Sequence, residues 1–253
     1  MIYRVDLHVH TDGAASLDEL ARAARRAGLD AIAVTDRGRL TPVPAEVRGV
    51  LLIPGCEIAT LGGHILGVFL ERAPDFARLQ RHGLPTADEA VLEIHRCGGL
   101  AILAHPYAEK AANAALFPLR PDAVETVNPR AALARPDANK RALLWAADHR
   151  RPRVGCSDAR TPQDLGCAYT EISCAQLTRA ALKEAVDLGR CRPVAVRDAA
   201  PEPRRRKKRE KKSGGPSALT RGAAVLGCGV LGAVRGAAAL IPHPRRKKRK
   251  KDE

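Results

Sequence analysis

Seven short apolar runs recur through the first 200 residues, at 2–7, 30–35, 49–54, 64–70, 100–104, 122–127 and 153–156, with amphipathic stretches between them. Short apolar runs that alternate with helical periodicity are the pattern of repeated βα units, in which each strand feeds a helix that packs back onto a mainly parallel sheet. Helices are expected at 17–28, 87–97, 137–149 and 178–189. The first two carry their own boundaries: Ser16 with Glu19 and Thr86 with Glu89 read as capping boxes, and Gly28 and Gly98-Gly99 as stops. Only seven of the 253 residues are aromatic, so the core must be built from Ala, Val, Leu and Ile. That palette suits an α/β protein better than a β-sandwich.

The formal charge of +15 does not describe the folded part. Residues 1–200 hold 26 Lys and Arg against 24 Asp and Glu, a net of +2, whereas residues 201–253 hold 17 against 4, a net of +13. The expected organisation is therefore a barrel over 1–198 and a basic, largely disordered tail over 199–253, with a helix at 218–241. Within the tail, "GAAVLGCGVLGAVRGAAALI" at 222–241 is long enough to cross a bilayer, but it is Gly-rich and carries Arg235. A surface-lying or partner-binding helix fits it better than a span. Basic flanks on both sides suit nucleic acid or an anionic membrane surface, and the absence of aromatic residues among them leaves no stacking platform for single-stranded bases. Seven cysteines, no C-x-x-C pair and no N-terminal secretory signal point to reduced thiols and a cytoplasmic protein, peripheral to a membrane or associated with nucleic acid through the tail.

The strand ends carry the chemistry. In "YRVDLHVHT", His8 and His10 are two apart, so on an extended strand they converge on one side. Neutral imidazoles that converge suit zinc, manganese or iron. Asp36 follows the second run, Glu57 the third, His105 the fifth, Asn128 the sixth and Asp158 the seventh. Each has an ordinary explanation alone, as a helix cap, a loop acid or a satisfied buried histidine. Six such explanations sharing one phase are harder to accept than one pocket at the mouth of a parallel barrel, where strand-to-helix loops assemble active sites.

The order "DLHVHT", "VTDRGR", "PGCEI", "GGHILG", "LAHP", "VNPR", "GCSDAR" resembles the PHP (polymerase and histidinol phosphatase) family of metal-dependent phosphoesterases, over about residues 1–193. The resemblance implies a distorted seven-stranded βα, TIM-like barrel with up to three divalent cations at its mouth. It implies hydrolysis of phosphate esters of nucleotides, nucleic-acid ends or small monophosphates. Carried over by position, His8, His10, Glu57 and Asp158 would hold one metal, and Glu57 would bridge to a second that His105 also ligates. His64 and Asn128 are further candidates, as ligands or as supports of ligands. His64 opens a strand, which leaves a place at the barrel bottom nearly as good a reading.

Two departures fall on one subsite. Where the family carries histidines that help bind a third cation, this chain has Arg37 and Arg160. A guanidinium cannot deprotonate to become a ligand, so two cations (Mn²⁺, Fe²⁺ or Zn²⁺) are expected, with the third site lost. Either the site has decayed, or Arg37 and Arg160 grip substrate phosphate oxygens, with Asp36 orienting Arg37 or ligating a metal. The second reading gives catalysis by metal-bound hydroxide, with Asp36, Arg37 and Arg160 as catalytic residues. The rival reading is a non-catalytic RNA-binding barrel resembling a ribonuclease P protein subunit. The basic tail and the two arginines favour it, and retention of the five metal-competent residues speaks against it.

Overall fold

All seven apolar runs form strands in the computed structural model, which describes residues 1–11, 15–108 and 120–198. They become β1 (Ile2–Val9), β2 (Ala31–Val34), β4 (Val50–Thr60), β5 (Gly63–Val68), β6 (Leu100–Ala104), β7 (Ala123–Val127) and β8 (Arg153–Gly155). Three strands join them: β3 (Glu46–Val47), β9 (Ala168–Ser173) and β10 (Cys191–Ala195). The helices are α1 (Leu17–Arg26), α2 (Phe76–Leu79), α3 (Ala87–Arg96), α4 (Pro129–Ala134), α5 (Ala138–Asp148) and α6 (Arg179–Asp187). Both expected capping boxes form, with Ser16 accepting from Glu19 N and Thr86 from Glu89 N. These elements lie in the unit Met1–Arg204, and the tail with its expected helix at 218–241 lies outside the described residues.

The strands form one sheet in the order β10-β9-β1-β2-β4-β5-β6-β7-β8, with β3 paired to β4. The pairings are mixed rather than mainly parallel. β1–β2, β2–β4, β6–β7 and β7–β8 run parallel, while β4–β5, β5–β6, β1–β9, β9–β10 and β3–β4 run antiparallel. Strand β4 is the pivot: its first half pairs parallel with β2 up to Pro54, and its second half pairs antiparallel with β5 from Gly55. A Cβ at Gly55 would lie 2.7 Å from Gly67 O and 3.2 Å from Val34 O, so the crossing requires a residue without a side chain.

The two ends of the sheet come together without a ladder. Thr170 Oγ1 of β9 accepts from Gly155 N of β8 at 3.0 Å and donates to Gly155 O at 2.8 Å. At the mouth, His10 N donates to Ala159 O at 2.8 Å and Ala159 N to His8 O at 3.2 Å. The barrel is thus nearly closed, and the loop after β8 is bonded to the strand that carries the histidine pair.

Helices bury small apolar faces against the strands. Leu20, Ala21 and Ala24 of α1 pack with Ile32, Val50 and Leu52, while α3 and α5 bring Ala90, Ile94, Ala142 and Trp145 against Ile65, Leu103 and Val124. α6 adds Leu182, Ala185 and Val186 to a third cluster with Ile53, Leu66, Ile102 and Val154. Gly55→Ala is expected to cost about 1–3 kcal/mol in urea unfolding, because the added carbon would strike two backbone oxygens and the Thr35 methyl group. An unchanged unfolding midpoint would disprove the crossing argument.

Candidate metal centre

Strand β1 ends in the histidine pair, and the extended backbone aims both rings the same way. His8 Nε2 and His10 Nε2 lie 3.1 Å apart. The Asp158 carboxylate faces them, its Oδ1 3.4 Å from His10 Nε2 and 3.8 Å from His8 Nε2. Glu57 lies across the pocket and divides its oxygens. Oε2 is 3.6 Å from His10 Nε2, while Oε1 is 3.1 Å from His105 Nε2 and 2.8 Å from His64 Nδ1. Three donor sets therefore converge: His8, His10 and Asp158; Glu57, His64 and His105; and His8, His105 and Glu125.

His64 reaches this set because β5 runs antiparallel. In a parallel strand a first residue sits at the bottom of the barrel; here the β4–β5 hairpin returns the chain at the mouth, with His64 opposite Ala59. Glu57 does not follow its strand, as the sequence suggested, but lies inside β4, three residues before its end.

Burial defines the electrostatics. His8, His10 and Glu57 are almost wholly withdrawn from solvent. Burial drags the His8 imidazole down, but the carboxylates of Asp158, Glu125 and Glu57 overcome it and push it up to about 10. His10 is lowered, chiefly by burial. Burial opposes ionisation of Glu57 and Asp158, yet the imidazoles around them hold both far below the usual carboxylate range. The donor set suits divalent cations: buried carboxylates and imidazoles meet at ligand spacing, and Glu57 Oε2 and Asp158 Oδ1 accept no aligned hydrogen bond.

Glu125 is the residue that the sequence reading missed. Fully buried in β7, it takes His8 Nδ1 at 3.1 Å on Oε1, and on Oε2 it accepts from His105 N at 2.5 Å and from Asn128 Nδ2 at 3.0 Å. A carboxylate on Nδ1 leaves Nε2 to face the pocket, the usual arrangement of a ligating histidine. The signal was an acid in the middle of an apolar strand, "AVETV", which is expensive unless it is used. Asn128 caps α4 through Ala131 N at 2.8 Å and steadies Glu125, so it stands behind the ligand set rather than in it.

The remaining expected residues are placed as follows. Asp36 is not brought into the set: its oxygens accept from Thr11 N at 2.6 Å, Thr11 Oγ1 at 2.5 Å, Arg39 Nη2 at 3.0 Å and the Thr41 hydroxyl. Its cationic partner is Arg39, not Arg37. Arg37 instead lies with Nε 2.9 Å from Glu57 Oε2, and Arg160 with Nε 3.7 Å from Asp158 Oδ1. Both guanidinium side chains keep a third or more of their surface exposed at the mouth.

Asp6, also fully buried, ties β1 to the Asp158 loop, accepting from Ser157 N at 3.1 Å, from the Ser157 hydroxyl and from His8 N at 3.3 Å. Burial pushes its carboxyl up to about 7, against 3.8 when unfolded. A carboxyl raised in this way stabilises the fold fully below pH 4 and loses that contribution as pH rises through 7. Asp6→Asn keeps the acceptor and adds a donor toward Ser157 Oγ without titrating. Wild type should therefore lose about 2–3 kcal/mol relative to Asp6→Asn between pH 5 and pH 8, read by urea unfolding of metal-free protein. Parallel stability profiles would refute it.

Comparison with known proteins gives three kinds of match. A family model, PHP_C, described as PHP-associated, matches residues 136–191. The protein MJ1587 of Methanocaldococcus jannaschii, itself uncharacterized, is 32% identical over 146 residues, which is 49% of this chain and 81% of that protein. Among solved structures, a two-domain protein of Bacteroides vulgatus containing a PHP-like metal-dependent phosphoesterase aligns with TM-score 0.55 and 19% identity over 77% of this chain, which spans only 65% of its length. PsfC of Pseudomonas syringae aligns with TM-score 0.53 and 16% identity, over 77% of this chain and 92% of that one. Endonuclease Q, solved with a 27-mer duplex substrate bearing an abasic lesion, aligns with TM-score 0.50 and 18% identity, over 74% and 56% of the two chains. At these identities the structural likenesses show the fold.

Proposed function

The chain belongs to the PHP (polymerase and histidinol phosphatase) family, and we propose that it is a metal-dependent phosphoesterase that attacks phosphate esters with activated water. The observation that carries the proposal is Glu57, buried, with Oε2 toward His10 and Oε1 toward His64 and His105, and with His8 Nε2 3.8 Å from Oε1. A carboxylate shared in this way suits two cations. His8, His10, Asp158 and Glu57 would hold one, and Glu57, His64 and His105 the other. Bound there, divalent cations (Mn²⁺, Fe²⁺ or Zn²⁺) supply Lewis acidity, lower the pKa of water toward 7 and neutralise the departing oxygen.

The protein's own groups do the rest. Glu125 holds the Nδ1 side of His8 so that Nε2 faces the pocket. Arg37 and Arg160, each resting against a ligand carboxylate and each open to solvent, bind phosphoryl oxygens in the place where relatives would carry a third cation. Among the described residues, the buried cysteines Cys56, Cys156 and Cys167 offer no alternative nucleophile. Burial pushes the Cys56 and Cys167 thiols up to about 12, and Cys156 well above its ordinary value, so all three stay protonated.

The substrate class includes nucleotides, nucleic-acid ends and small monophosphates. A neighbour of the same fold holds a lesion-bearing duplex, and the tail of this chain carries a net +13, which together favour nucleic-acid ends as the first class to try. No helix among the described residues is long and apolar enough to cross a membrane.

Chelator-stripped protein should hydrolyse a panel of nucleoside monophosphates, bisphosphates and 5′-phosphorylated oligonucleotides at least about 100-fold more slowly than Mn²⁺-loaded protein, and His8→Ala and Asp158→Ala should match the stripped rate. Equal rates with and without metal would overturn the function. Arg160→Ala is expected to lower kcat/KM about tenfold while leaving Mn²⁺ affinity in place. An unaltered kcat/KM would remove Arg160 from the substrate site.

A further inference from the structure

Asp158 offers its carboxylate from a backbone with φ of +50°. That conformation is unfavourable for an L-residue, and it persists where the surroundings enforce it. One side of the loop is fixed to β1 by the Ala159 bonds to His8 and His10 and by the grip of Asp6 on Ser157. The other side meets the first turn of α4. There Arg130, its side chain only 11% exposed, donates from Nε to the Asp158 carbonyl at 3.2 Å and from Nη2 to Asp164 Oδ2 at 3.1 Å. The same Asp164 oxygen accepts from Arg160 N at 3.3 Å, Thr161 N at 3.2 Å and Thr161 Oγ1 at 3.0 Å.

We infer that Arg130 is a positioning residue: a strut from the start of α4 that braces the Asp158 peptide against the Asp164-anchored turn and so holds the carboxylate at the pocket. Its nearest approach to the Asp158 carboxylate is 4.0 Å, against 3.2 Å to the carbonyl, so it steers the ligand's backbone instead of competing for the ligating oxygens. The planar fork of arginine spans two acceptors at once, which a lysine ammonium on a single-atom head cannot do in the same geometry. The placement also explains why α4 begins where it does. Asn128 caps the helix and steadies Glu125, and two residues on Arg130 steadies Asp158, so one short helix start supports a residue on each side of His8.

The inference rests on the metal-centre reading, and the test separates the two. Mn²⁺ binding is followed by the electron paramagnetic resonance signal of free Mn²⁺ in wild type, Arg130→Gln, Arg130→Lys and Asp164→Asn. Wild type should bind two equivalents. In Arg130→Gln and Asp164→Asn, one equivalent should weaken about 10- to 100-fold while the other keeps its affinity, because only the Asp158 side loses its brace. Arg130→Lys should follow Arg130→Gln. Wild-type affinity in Arg130→Gln, restoration by lysine, or equal loss at both equivalents would overturn the strut. A wild-type chain that binds no Mn²⁺ would overturn the metal centre itself.

Discussion

The structure depends on one buried carboxylate. Glu57 sits in the middle of a strand, almost wholly out of water, and an isolated carboxylate there would be intolerable. It is tolerable because β4 changes partner just before it. Upstream of Gly55 the strand belongs to the parallel half of the sheet with β2, and downstream to the antiparallel half with β5. Glu57 therefore lies where both halves meet, with β1 presenting His8 and His10 on one side and the β5–β6 pair presenting His64 and His105 on the other. The mixed topology is the condition for four imidazoles to reach one acid.

Closure of the barrel serves the same end. The edge strand β8 is joined to β9 by a threonine hydroxyl rather than a ladder, and the loop after β8 is joined to β1 at the mouth by backbone bonds between His8, His10 and Ala159. These last bonds bring Asp158, some 150 residues from the histidine pair, into ligand range of it. Of the six non-glycine residues with positive φ among the described residues, two belong to the pocket, His105 at φ +26° and Asp158 at φ +50°. Strain at these positions is carried by the hydrogen bonds around them: Glu125 to the His105 amide, Arg130 to the Asp158 carbonyl.

Much of this could be read from the sequence, and the exceptions have physical causes. Apolar runs and capping boxes depend on local pattern, so all seven strands and the first two helix starts were visible. Strand direction is not local: nothing within "GGHILG" says that the run returns antiparallel, which is why His64 could not be assigned to the mouth. β9 and β10 escaped because "AYTEIS" alternates weakly and "CRPVA" contains Pro193, a residue suited to an edge strand, which is where it lies. Most ligand candidates stood out because they end or follow an apolar run of the sequence. Asp36 shared that phase and still went elsewhere, since three hydroxyl and guanidinium donors from Thr11, Arg39 and Thr41 were nearer than the pocket. Glu125 lay one step inside its strand, and only the cost of burying it marked it.

Under the proposed function, two arginines stand where a third cation would be, and that exchange would alter more than one ligand shell. Under the proposed function, two guanidinium groups would supply the same +2 charge to a phosphoryl group as a third dication would. They cannot exchange, cannot be chelated and cannot activate water, which leaves water activation to the remaining two-metal set. Arg37 and Arg160 are also joined to the ligands themselves: one contacts the Glu57 carboxylate, the other approaches that of Asp158. Under the proposed function, cations held by those carboxylates would compete with the two guanidiniums for them, leaving guanidinium donors for a substrate phosphate. Under that proposal, cation loading and phosphate recognition would be coupled through the Glu57 and Asp158 carboxylates.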